Sequence, residues 1–334
     1  MEFIITNDEG RDIGALQEAT IDFEIGDKGN SFEIEMTDEE ATRYEIRMQQ
    51  SYIYSPDTEF GGRFEKTQYA TDTDIQTWCG IAWRGLLEMS AIEPPPNVSH
   101  MVVSGDVHDV FRTVLPAGND AGSFFTVPDG QLGVGIATYQ FDRFTTKLTG
   151  LSKMLEQVGH RLDISVVPRS QGRPFAVVVT AKPIQDLSQT IEFSQDYTNA
   201  VLDLTDDRMG VNHLICLGQG ELTDRLVIHL YAWPGGIITS AGPFWTGIDM
   251  RTAIYEYSSI EDPAELKAKG VERLTELMSK RSGEVYVRDM QLYIGDIVGG
   301  RDRRSGFVIA KPITNMIARI KGGDATIEVN MEGA

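Results

Sequence analysis

At 334 residues with 41% apolar side chains, the chain has room for two to four compact domains and the composition of an ordinary folded protein. Fifty acidic residues against 30 basic ones give a net charge of −20, which repels phosphate and argues against a protein that grips nucleic acid, though not against one that nucleic acid slides past. Two cysteines, Cys79 and Cys216, build no disulfide framework and fit manufacture in a reducing cytoplasm; no signal peptide opens the chain, and no apolar run of about 20 residues forms a transmembrane segment.

In chain order, Phe3-Ile4-Ile5 begins a strand. Ile21, Phe23 and Ile25 alternate with polar residues, as do Phe32, Ile34 and Met36, and Tyr44, Ile46 and Met48 continue the period. Residues 1–70 therefore read as an antiparallel sheet that buries one face. Residues 75–93 are denser in apolar groups and read as a strand passing into a short turn or helix. Pro94-Pro95-Pro96 ends it, because three prolines neither donate to a ladder nor continue a helix.

Past that connector the pattern changes. Val107, Val110, Phe111 and Val114 lie at helical spacing, and a glycine-rich loop occupies 117–135. Leu148, Leu151, Leu155, Val158 and Leu162 form one apolar stripe that predicts a helix over about 145–160. Leu162, Ile164 and Val166, and then 175–180, predict strands. From about 189 the β pattern returns, with Leu226, Ile228 and Leu230 on one strand. Asp262 suits an N-cap and Pro263 the first helical position, which places a helix within 258–282. The end reads as four short strands with turns at Gly299-Gly300, Ser305-Gly306 and Gly322-Gly323-Asp324.

One stretch occurs twice. Residues 19–34 read ATIDFEIGDKGNSFEI and residues 200–216 read AVLDLTDDRMGVNHLIC, pairing Ala19 with Ala200, Asp22 with Asp203, Gly29 with Gly210 and Asn30 with Asn212. Both look like hairpins, either duplicated or alike only because Asp- and Gly-rich hairpins align readily. The predicted fold class is β-dominated α+β: two β-domains, an α+β domain between them, and a helical insertion in the second. The expected boundaries are 1–96 for the first β-domain, 97–187 for the α+β domain, 188–236 with 290–334 for the second β-domain, and 237–289 for the insertion.

No residue is assigned a catalytic, cofactor-binding or metal-ligating role. His100, His108, His160, His213 and His229 show no paired metal-ligand spacing, although His213 and His229 fall on neighbouring predicted strands. Gly133-Val134-Gly135 and Gly218-Gln219-Gly220 are too short for a dinucleotide fingerprint, and no GxSxG elbow occurs. Trp78, Trp83, Trp233 and Trp245 could line a sugar groove, but aromatics at strand positions are more often core. The basic cluster Arg301-Asp302-Arg303-Arg304 reads as a hairpin turn, either solvated or paired across a subunit interface.

The order of motifs is more specific than any of these sites. It runs from the IDFEIGDKGNSFEI hairpin through WRGLL, IEPPP, SGDVHDVF and LSKMLEQVGHRLDISVV to NHLICLGQGE and YIGDIV. It resembles the tail hub family of long-tailed bacteriophages, which comprises baseplate hub proteins and hub-like N-terminal regions of tail-associated proteins. The resemblance implies a homotrimer at the virion tail tip or baseplate. It also implies that the two β-domains are related β-barrel-like tube domains, which would adapt a six-fold tail tube or distal tail protein to three-fold tip components. Implied partners are the distal tail protein, tail tube protein, tape measure protein and other tip proteins or fibres, with DNA passing transiently through an acidic lumen. It implies no cofactor and no enzyme activity, with any lysin, fibre or receptor-binding role borne by other proteins. A wall-degrading glycoside hydrolase or a carbohydrate-binding tail protein is the competing expectation.

Overall fold

The computed structural model describes residues 2–7, 9–16, 19–27, 29–69, 72–115, 121–169, 174–188, 192–193, 200–287, 292–301, 308–321 and 324–333. The alternating sequence around residue 20 forms the hairpin it predicts: Thr20–Gly26 pairs antiparallel with Ser31–Thr37, and Ile21, Phe23, Ile25, Phe32, Ile34 and Met36 all turn inward. Ile75–Ala82 and then Gly61–Tyr69 extend the sheet from Ser31–Thr37, followed by Tyr52–Tyr54, Ile4–Thr6 and Asp12–Ala15. Phenylalanine rings fill the inside of this wall. Phe23 stacks on Phe3 at 5.2 Å and on Phe32 at 4.8 Å, and Phe64 meets Phe32 edge-on at 5.2 Å. Gly62 and Gly80 lie directly under the Phe32 ring, where any Cβ would collide with it.

The expected strand through Tyr44, Ile46 and Met48 is absent. Asp38–Arg43 is instead a short helix, α1, because Thr37 and Glu40 close a reciprocal capping box at 3.3 Å and three carboxylates occupy the first turn. Glu45 (φ 47°) and Gln49 (φ 63°) then break any extended run. Tyr44 and Ile46 still point into the core, so their burial was legible although their backbone was not.

The carboxy-terminal strands join the same sheet. Val308–Lys321 pairs along its later half with Thr20–Gly26 on one side and Asp324–Gly333 on the other, and along its first residues with Ile297–Arg301. Arg281–Val287 and Ala200–Asp206 complete that side, and Glu192–Phe193 pairs in parallel with Ile297–Arg301 on a side branch; among the described residues this gives one 13-stranded sheet whose main path ends at Ala200–Asp206 and Asp12–Ala15. Gly299-Gly300 is not a turn. Both lie in a strand opposite Ala310 and Ile309, and a side chain at Gly299 would press on the Ser188 backbone. The expected four short strands include one of 14 residues, while the turns expected at 305–306 and 322–323 lie outside the described residues.

The middle of the chain packs a second core against this wall. Trp83–Glu88 forms α2, Val107–Val114 forms α3, and Lys147–Glu156 forms α4. The helix α4 stops short of Val158, and Gly159 (φ +67°) turns the chain into His160–Pro168. That strand pairs along its length with Phe175–Pro183, while Leu148, Leu151 and Leu155 meet Leu162, Ile164 and Val166 in the core.

A third core is independent of both. His213–Leu217 pairs antiparallel with Val227–Trp233 and parallel with Thr252–Glu256, Ile237–Thr239 adds a fourth strand, and α5 (Pro263–Leu277, capped by Asp262) covers one face. Leu214, Cys216, Leu230, Leu266 and Leu274 are buried between them. This overturns the expected second hairpin. Residues 200–206 lie in the large sheet and 213–217 in the small one, so they do not pair as 20–26 and 31–37 do. Residues 213–217 and 227–233, expected with the second tube domain, share the small sheet with 237–239 and 252–256. Alternation reports which face is buried but not which strand lies alongside. The matched asparagines differ accordingly. Asn30 Oδ1 accepts from Gly26 N at 2.9 Å inside a tight hairpin, whereas Asn212 pins a loop 37 residues away through Asp249 O at 2.7 Å.

Candidate functional site

Residues directly opposite on paired strands share a face, so the register strings Lys66, Cys79, Glu33, Asp22, Arg319 and Thr326 into one row across six strands. A neighbouring row carries Ser31, Glu24, Ile317 and Glu328, and Glu35 follows on the other side. This is the face turned away from the phenylalanine core, and carboxylates outnumber cations on it. Arg319 pairs with Asp22 at 3.3 Å and with Glu328, and Asn315 Nδ2 donates to Glu24 Oε1 at 2.7 Å, so polar contacts stitch the amino- and carboxy-terminal strands together. Burial and the adjacent Glu33 carboxylate push the Cys79 thiol above its ordinary value, which keeps it protonated and unreactive at neutral pH.

Beneath the sheet, a buried charge cluster locks the middle core to the carboxy-terminal strands. Arg161 Nε donates to Asp296 Oδ1 at 3.0 Å and Nη1 to Asp163 Oδ1 at 2.9 Å, while Gln185 N donates to the same Asp296 oxygen at 3.0 Å. Lys182 reaches Asp163 at 2.9 Å, and the Arg161 guanidinium lies 4.3 Å over the Tyr293 ring. Nearby, buried Arg84 pairs with Glu59 and donates to Leu162 O at 3.2 Å. Burial pushes the Glu59 carboxyl upward, and the Arg84 charge opposes that. Nothing in the local sequence signals these partners, which lie up to 135 residues apart.

Four of the five histidines, His108, His160, His213 and His229, have ring hydrogen bonds within the fold. His108 Nε2 and Thr180 Oγ1 are 2.8 Å apart. His213 and His229 do meet, Nε2 to Nδ1 at 2.9 Å, with His213 Nδ1 2.8 Å from Thr252 Oγ1 and its ring stacked on Tyr231 at 4.7 Å. Among the described residues, no group of three His, Cys, Asp or Glu is placed to hold a metal. Gly133 (φ +83°) is a turn glycine whose N–H donates to Asp106 Oδ2 at 2.7 Å. The basic cluster at 301–304 falls almost wholly outside the described residues. Among the described residues, no helix is long and apolar enough to cross a membrane.

The tryptophans divide. Trp78 and Trp83 are core residues, while Trp233 and Trp245 remain 39% and 37% exposed on the inserted unit. Phe244 bridges them, its ring 6.0 Å from Trp233 and 5.1 Å from Trp245.

The fold of this chain has solved counterparts. The 43 kDa tail protein of prophage MuSo2 from Shewanella oneidensis superposes with a TM-score of 0.56 at 12% identity, covering 99% of this chain and 98% of that one. The chain has the fold of a phage tail protein. The tail protein from Neisseria meningitidis MC58 is equally similar, with a TM-score of 0.55 at 14% identity over 99% of this chain and 97% of its own. No protein-family model and no curated protein matches the sequence. The tail-protein fold is thus reached with almost no sequence identity, which places its determinants in strand pairing and core burial rather than in side-chain signatures.

Proposed function

We propose that this chain is a structural hub of a bacteriophage tail tip, incorporated in the virion at the tail tip or baseplate. The observation that carries the reading is the single sheet whose main path ends in two open edges and which has one acidic face. Among the described residues, Ala200–Asp206 pairs only with Arg281–Val287, and Asp12–Ala15 only with Ile4–Thr6. Such edges invite strand pairing with further chains. Three copies joined edge to edge would form a homotrimeric ring that presents two β segments per chain to a six-fold tail tube or distal tail protein. The tape measure protein and other tip proteins or fibres would complete the contacts.

In that ring the Asp22, Glu24, Glu33 and Glu35 face would line the DNA channel, repelling phosphate so that the genome passes without sticking. The role is structural and assigns no catalytic step. Native mass spectrometry and negative-stain imaging of the chain with its distal tail protein test it. Trimeric rings with a central channel are expected, and Val201→Pro on the edge strand should abolish them while leaving the monomer folded. Persistent monomers in the presence of that partner, or a ring whose lumen is basic, would refute it.

A further inference from the structure

We infer that the groove beside Trp233 and Trp245 is a binding site for an uncharged saccharide. The groove has a volume of about 580 Å³, within the range of small-ligand sites, and lies between the inserted unit and the start of the Val308–Lys321 strand. Both half-exposed indoles line it, and Gly235-Gly236 leaves one wall without side chains. Indole faces offer a flat apolar platform to the C–H face of a pyranose ring, which hydroxylated, uncharged ligands present repeatedly.

The polar groups point the same way. Asp249 and Arg251 line the groove, and their bonds to Asn212 use only backbone atoms, which leaves the carboxylate and the guanidinium to a ligand. A carboxylate only accepts and a guanidinium only donates, so a ligand that satisfies both must do both, as a hydroxyl does. Three carboxylates (Asp206, Asp207 and Asp249) and four cations (Arg208, Arg251, Lys280 and Lys311) line the groove, so a charged ligand of either sign meets like charges as well as opposite ones and gains little net attraction.

The site is also held in shape without a ligand. Trp233 Nε1 donates to Gly242 O at 3.0 Å, and Asn212 bonds both Asp249 O at 2.7 Å and Arg251 N at 2.8 Å, fixing both ends of the aromatic loop. Pre-ordering removes the entropy cost that a mobile loop would charge against binding.

The full chain should be applied to an array of immobilised neutral oligosaccharides and bacterial surface polysaccharides. Tryptophan-fluorescence titration then follows with the neutral hexasaccharide retained best. Saturable binding is expected, weakened at least tenfold by Trp245→Ala and several-fold by Asp249→Asn, with the circular dichroism of both variants unchanged. Retention of no glycan, retention of charged glycans alone, equal affinity in both variants, or preference for a proline-rich peptide over every saccharide would overturn it. Oligomeric state is read separately, so failure here leaves the hub reading untouched.

Discussion

Replacing Asp296 tests whether the buried charge cluster joins two cores or merely decorates their contact. Asp296 is 1% exposed, and its Oδ1 accepts from both Arg161 Nε and Gln185 N. Asp296→Ala strips Arg161, itself buried, of one of its two carboxylates and leaves a backbone donor unsatisfied. Breaking a buried ion pair from one side costs about 3–5 kcal/mol. Asp163 still holds the other guanidinium nitrogen, and Tyr293 lies beneath it, so the lower part of that range is expected. Asp296→Asn keeps an acceptor for Gln185 N but loses the charge, and should cost about 2 kcal/mol, the scale of a hydrogen bond to a charged group. Urea denaturation of the three proteins provides the comparison. A loss under about 1 kcal/mol for Asp296→Ala would mean that water or a repacked side chain replaces the carboxylate, and the clamp would be refuted.

Three further outcomes follow from packing and titration. Gly270→Ala adds a methyl group to α5 where it would overlap the Cys216 sulfur and a Leu230 methyl, so overpacking of about 1–3 kcal/mol should outweigh the gain in helix propensity, measured by the urea midpoint of the inserted unit. Asp106 caps α3 through His108 N; burial pushes its carboxyl up, but N–H donation from Leu132, His108 and Gly133 outweighs this and holds it below the usual value. Its contribution is therefore complete above about pH 4 and lost as pH falls through the lowered folded value, and Asp106→Ala should remove about 1 kcal/mol at neutral pH and flatten that acid limb. Burial and the neighbouring His229 push His213 below its ordinary value, so the inserted unit should lose stability as pH falls below about 6.5, the unfolded histidine value. His229→Gln should lessen that loss in hydrogen-exchange measurements; an unchanged pH dependence would place the effect elsewhere.

Periodicity made the wall strands and the α4 stripe legible because burial on one face is a local property of the sequence. The Thr37-Asp38-Glu39-Glu40 run carried a legible capping signature, yet the apolar spacing of Tyr44, Ile46 and Met48 fits a buried turn as well as a strand. Partner choice was not local. Leu214 and Cys216 alternate as wall residues do but face α5, and only the parallel strand Thr252–Glu256 shows which sheet they complete. The buried cluster was invisible for the same reason, since Arg161 and Asp296 are ordinary surface residue types until the fold brings them together. Of four tryptophans, the two on the surface are those flanked by Pro-Gly-Gly or following Gly-Pro, a turn chemistry that keeps a strand from burying its aromatics.

The pairing of Val308–Lys321 with Thr20–Gly26 sets a clock on synthesis. The edge of the first hairpin is completed by residues that leave the ribosome almost 300 positions later, as the Arg319–Asp22 contact spans 297 residues. At about 5–20 residues per second, that edge waits about 15–60 s with its donors and acceptors unpaired. Asp22 and Glu24, whose side chains later receive Arg319 and Asn315, are charged during that interval and discourage the edge from pairing with another nascent copy.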